Sequence, residues 1–146
     1  MASFRSQLLA SNEIPVGDSA YFRLIKRSFS QLQVLLPGES NAPNTVSGKT
    51  GTPNPVSLSG DNGLVTVTVN AVDATWHLVS VSGDSVTLTS TDPLFVPAGT
   101  GTITNGSAQV TVQFGSTSPP TYTVTATDTT NTNIPAATSS PITVNP

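Results

Sequence analysis

GLVTVTVNAVD, residues 63–73, puts Val65, Val67, Val69 and Ala71 on one side of an extended chain and Thr66, Thr68 and Asn70 on the other. A period of two is that of a β-strand with one buried face, because successive side chains of a pleated strand point to opposite sides. No helical period explains the same residues. The alternation returns in SVTLTST (85–91), with Val86 and Leu88 set between polar residues, and in SAQVTVQF (107–114), with Ala108, Val110, Val112 and Phe114 inward. It returns again in PTYTVTATD (120–128), where Tyr122, Val124 and Ala126 share a face. TWHLVSV (75–81) reads as a further strand with Trp76 and Leu78 inward, and LQVLL (32–36) and SPITVNP (140–146) read as the first and last. Turn residues separate the runs: PGE stops LQVLL, and Asn105–Gly106 is a two-residue hairpin signal. Seven or eight short strands spaced by roughly 8–12 residues predict an all-β fold, an immunoglobulin-like β-sandwich. Trp76, near the third strand, is assigned to the inter-sheet core.

Composition agrees. At 146 residues the chain predicts one domain, large enough for a core without metal or disulfide staples. There is no cysteine, hence neither a disulfide nor a thiolate metal site. Charged residues make up 9% of the chain, against about 25% in an average soluble domain, with Thr, Ser, Val, Gly, Asn and Pro in their place. Regularly spaced Val, Ile and Leu with a small net charge argue against disorder. No run approaches the ~18 apolar residues of a membrane-spanning helix. In MASFRSQLLASNEIPVGDS (1–19) the run LLA is too short for the core of a secretory signal.

Positive charge is unevenly placed. Arg5, Arg23, Lys26 and Arg27 against Glu13 and Asp18 leave residues 1–30 at +2. Lys49 against Glu39, Asp61, Asp73, Asp84, Asp92 and Asp128 leaves residues 31–146 at −5, and together they return the chain's −3. Two regions follow: an N-terminal arm, 1–30, and the sandwich, 31–146. Within SAYFRLIKRSFSQ (19–31), a helix places Tyr21, Phe22, Leu24, Ile25 and Phe29 on one arc, with Arg23, Lys26 and Arg27 opposite and Asp18 or Ser19 as cap. So short a helix is marginal alone in water, so its apolar stripe must dock. The docks open to it are the chain's own sandwich, a neighbouring subunit whose acidic body attracts the basic arm, and, least favoured, an anionic membrane surface. Four basic residues make too thin a footprint for nucleic acid. The arm is therefore expected to be an assembly element, with Tyr21, Phe22, Arg23, Leu24, Ile25, Lys26, Arg27 and Phe29 as its subunit-contact residues.

Residues that carry chemistry are sparse. His77 is the single histidine, and no G-x-S-x-G elbow accompanies it. The acids sit singly at strand ends, where Asp is a turn former. Asp73 and Asp128 end strands at one pole, but Ca²⁺ wants six or more oxygens and no D-x-D-x-D run supplies them. Asn105-Gly-Ser107 is a glycosylation sequon lying in the expected hairpin turn. An internal Lys–Asn isopeptide bond would have to use Lys49, the one body lysine. No catalytic residue, metal site or cofactor is expected. With Trp76 and Tyr122 inward, Tyr21, Phe22 and Phe95 are the aromatics left for a glycan-binding platform.

VTVTVNAVDATWHLVSVSGDSVTLTSTD, NGSAQVTVQF, TYTVTATD and SPITVNP together resemble a bacterial immunoglobulin-like repeat of the invasin type. The lead-in FSQLQVLLPGE and GKTGTP (within 29–53) is similar to the start of such modules in tandem arrays of bacterial surface proteins. The resemblance covers about residues 29–146, and residues 1–28 match nothing in it. It implies a non-enzymatic module used in adhesins, surface arrays, filaments and phage virions. The expected function is thus a structural module of an extracellular or virion assembly, self-associating through its arm, with itself or a larger structural assembly as partner. An exported filament or adhesin subunit fits the repeat; a phage capsid or tail decoration protein fits a Met start with no export signal. The alternative is a monomeric carbohydrate-binding or adhesive recognition module.

Overall fold

The computed structural model of the chain describes residues 27–97 and 100–146. They contain β1 (Gln31–Leu35), β2 (Glu39–Asn41), β3 (Lys49–Gly51), β4 (Val56–Ser57), β5 (Leu64–Val72), β6 (Ser85–Ser90) and β7 (Val96–Pro97). There follow β8 (Gly101–Thr102), β9 (Ser107–Gln113), β10 (Thr121–Tyr122), β11 (Val124–Asp128), β12 (Ala137–Thr138) and β13 (Ile142–Asn145). No helix occurs among the described residues.

The longest strand, β5, lies within the alternating stretch 63–73. It sits inside an antiparallel sheet of order β1-β5-β9-β7. Val67 lies opposite Val110 and Val69 opposite Ala108, while Val34 of β1 lies opposite Val69 from the other side. A one-residue slip would turn every valine to solvent, so the pattern also fixes this register. The second sheet packs over that apolar face. Its centre is β6 beside β11, with Leu88 opposite Ala126, and β8 extends it by two residues. β10–β11 and β12–β13 form one broken hairpin, and β4 joins β13 in parallel. The registers of its halves, Tyr122 opposite Ile142 and Ala126 opposite Ala137, differ by one residue. Ser139 absorbs the slip: its backbone N–H donates to Val124 O at 2.8 Å and its hydroxyl accepts the Val124 N–H at 2.9 Å. This is a bulge with a side chain standing in for the ladder. The result is an all-β sandwich.

The core contains Val67, Val69, Val86, Val112, Val124 and Phe114, each 1% exposed or less. Phe114 meets Phe95 edge-on at 5.4 Å and stacks with Tyr122 at 6.3 Å. Asn105 (φ 51°) and Gly106 (φ 89°) form the expected hairpin turn, both left-handed as a type I′ turn demands.

One strand assignment is corrected. TWHLVSV forms no strand: beyond Val72 the chain folds into a turn, and a single bridge from Val72 to Leu78 remains. Asp73 is the cause. Its Oδ1 accepts the N–H groups of Thr75 (2.8 Å) and His77 (3.0 Å), and its carbonyl accepts the N–H of Trp76 at 3.1 Å. A short polar side chain competing for backbone donors breaks an extended run at its first residue. Trp76 therefore lies outside the inter-sheet core, and Leu78 is 49% exposed.

β5 runs from a pole at Gly63 to a pole at Asp73. The chain reaches the sandwich at the Asp73 pole, where Ser30 N–H donates to Val72 O at 3.0 Å. It leaves at the Gly63 pole, where Ser57 and Ser59 hydroxyls donate to Pro146 O at 3.2 Å each.

Candidate functional site

The Asp73 pole carries an open cleft of about 420 Å³ lined by Asn44, Thr45, Val46, Ala74, Thr75 and Trp76. Trp76, half-buried, adopts φ 72° and Asn44 φ 65°. For a bulky aromatic the left-handed region is a genuine outlier, costing roughly 1–3 kcal/mol unless neighbours hold it. Here several do. Asp73 organises the turn, and the Asn41 amide donates to Trp76 O at 2.8 Å. Gly48 forms the floor under the indole, and a Cβ added there would overlap the ring. Gly48 is fixed in turn, since its carbonyl accepts Gln33 Nε2 at 2.7 Å.

Gln33 is the hub of a buried amide chain. Its Oε1 accepts from Asn41 Nδ2 (2.9 Å) and Asn70 Nδ2 (3.1 Å), and Ser107 Oγ donates to Asn70 Oδ1 at 2.9 Å. Gln33 and Asn70 lie on the outward face of the first sheet yet are 3% and 5% exposed. The 41–48 loop roofs them. A buried polar network must be fully partnered to be tolerated, and this one ties the cleft's loops to β1, β5 and β9. The sequence places Asn70 on the outer face of its strand and Gln33 within the apolar run LQVLL. The one signal was a glutamine interrupting the apolar run LQVLL.

Asp73 gathers three neighbours. Arg27 Nη1 lies 3.1 Å from its Oδ2, Thr75 Oγ1 donates to Oδ1 at 2.9 Å, and His77 Nδ1 lies 3.7 Å from Oδ2. Partial burial works against ionisation, but the N–H groups of His77 and Thr75, the Thr75 hydroxyl and Arg27 outweigh it. They hold the Asp73 carboxyl well below the usual carboxylate range. His77 Nδ1 lies 2.9 Å from Thr75 Oγ1, and Asn44 Nδ2 lies 3.4 Å from Nε2. Since Asn44 Nδ2 can only donate, this pattern is satisfied by the Nδ1–H tautomer, which donates to Thr75. The threonine hydroxyl then gives its proton to Asp73 and accepts from His77, the reverse of the polarity a base-activated nucleophile requires.

Among the expected subunit-contact residues, Tyr21, Phe22, Arg23, Leu24, Ile25 and Lys26 lie outside the described residues. Arg27 is exposed and pairs with Asp73, and Phe29 packs half-buried on the chain's own core. Asp73 and Asp128 have separate partners. Asp128 Oδ1 accepts the N–H groups of Thr130 and Asn131, and its buried Oδ2 has no donor. Burial and the charge of Asp128, within hydrogen-bonding reach, push the Asp84 carboxyl up. No group of three His, Asp or Glu side chains converges among the described residues. Lys49 Nζ donates to Val34 O at 3.1 Å and pairs with Glu39 at 3.2 Å. Phe95, one of the three aromatics left as candidates for a glycan platform, is half-buried against Phe114. No protein-family model matches the sequence, and neither does any curated protein.

Proposed function

We propose that the chain is a non-enzymatic structural module placed end to end in an extracellular or virion assembly, as a filament or adhesin subunit or a phage decoration protein. The observation that carries this reading is that residue 27 meets the sandwich at one pole and residue 146 leaves it at the other. Successive copies then meet pole to pole. The exposed apolar side chains support it: Leu64, Leu94 and Val96 gather at the Gly63 pole, and Val46 and Leu78 lie at the Asp73 pole. Exposed apolar clusters mark contact surfaces. The sheet edge at β1 is blunted for strand addition, because Lys49 caps the Val34 carbonyl. The resemblance of residues 29–146 to bacterial immunoglobulin-like repeats points the same way. The arm, net positive, would meet the acidic body of the next copy.

Light scattering with electron microscopy on the full chain and on a chain beginning at Arg27 tests this. Polymers or defined oligomers from the full chain, reduced to monomers by the truncation, are expected. Compact monomers from both would sink the assembly reading.

A further inference from the structure

We propose that the cleft at Trp76 is a binding site for a neutral saccharide, with a sugar ring resting on the indole. This does not rest on the assembly reading. Three observations converge on it. First, Trp76 is held in a costly backbone conformation, φ 72°, by Asp73, Asn41 and Gly48, although it does not belong to the buried core. Strain maintained by so many neighbours, for a side chain the core does not need, has a use elsewhere.

Second, the lining suits a sugar. Asn44 supplies an amide beside one aromatic, with Val46 fully exposed at the rim. The Thr45 hydroxyl donates to Ala42 O at 2.8 Å and accepts the Gly48 N–H at 3.0 Å, and the Thr75 hydroxyl serves Asp73 and His77, so each keeps one acceptor lone pair for a sugar hydroxyl. None of the six lining residues is charged. The nearest charged pair, Asp73 with Arg27, is satisfied internally behind Thr75. Such a surface offers an anionic or cationic ligand no counter-charge, but it matches the apolar faces and hydroxyl edges of a neutral sugar ring. Third, the cleft, about 420 Å³, is shallow and open to solvent, so a chain longer than one ring can lie across it. A separate recess of about 90 Å³, bordered by Leu32, Val34, Lys49, Ala137, Thr138 and again Trp76, lies at the β1–β12 edge.

The chain has one tryptophan, so its intrinsic emission reports this cleft alone. The full chain is titrated with cellopentaose, maltopentaose, mannopentaose and chitopentaose, with oligogalacturonate as the charged control. A saturable change in emission at about millimolar concentrations is expected from at least one neutral probe and not from the control. Asn44→Gly, which keeps the left-handed backbone and removes the amide, should weaken binding roughly tenfold by calorimetry. Trp76→Gly should abolish binding while leaving cooperative unfolding in place, since it relieves the strained φ. No saturable change with any neutral probe, or unchanged calorimetric affinity in both variants, overturns the proposal. Should Trp76→Gly fail to fold, Asn44→Gly decides alone.

Discussion

Residues 63–72 and 75–81 adjoin one another and share an alternating pattern, yet one is the deepest strand of the sandwich and the other is no strand. In β5 the backbone is paired on both sides, by β1 and β9, and each inward valine meets an apolar partner. In 75–81 the first backbone donors are taken by Asp73 before any ladder forms. Alternation therefore decides which face of an extended chain is buried. Competition for backbone N–H groups decides whether the chain is extended at all.

The sharpest way to break this comparison is to truncate one apolar side chain from each kind of region. Phe114, 1% exposed and in aromatic contact with Phe95 and Tyr122, should cost about 3–5 kcal/mol when replaced by alanine. Leu78→Ala should stay within about 0.5 kcal/mol, because half of that side chain is already in water. Urea unfolding with a common slope measures both. Comparable losses would mean that 75–81 contributes to the core as a strand does.

Gly48→Ala acts on the loop that the pattern did not foresee. The new Cβ would need φ 77° and would overlap the Trp76 ring, so a loss of roughly 2–4 kcal/mol is expected. In a Trp76→Gly background the overlap disappears and only the backbone term remains, so the loss should fall to about 1 kcal/mol. Additive losses in this double-mutant cycle would show that Gly48 does not serve the indole.

Much of the sandwich was legible because β5, β6, β9 and β11 carry two to four apolar residues each at a strict period of two. The Asn105–Gly106 turn was legible because only left-handed residues fit there. β4 and β8 were not, since two residues carry no period. The cleft was not legible either. It depends on contacts between residues far apart in sequence: Gly48 beneath Trp76, Asn41 to the Trp76 carbonyl, Gln33 to Gly48. Trp76 looked like core because a lone tryptophan beside a strand usually is. The arm's contact residues, from Tyr21 to Lys26, fall outside the described part of the chain.

The connection between β5 and β6 is bounded by two aspartates with opposite demands, which gives the smallest and most selective test. Asp73 is held below the usual carboxylate range by donors present only in the fold. Its contribution is therefore complete above that range and lost as pH falls through the folded value. Asp73→Asn, which keeps an acceptor at Oδ1, should flatten the acid limb of the melting curve. Asp84 is pushed up by burial and by Asp128, so the fold favours its protonated form. Its contribution is complete at low pH and lost as pH rises through the raised value. Asp84→Asn supplies a permanent donor beside the buried, unpartnered Asp128 Oδ2. The variant should melt a few degrees above the parent at pH 8, with the difference closing near pH 4. Thermal melts at pH 8 and pH 4 read the Asp84 sign, and melts carried below the usual carboxylate range read that of Asp73. A lower melting temperature for Asp84→Asn at pH 8 would mean that something other than a shared proton holds the two carboxyls together.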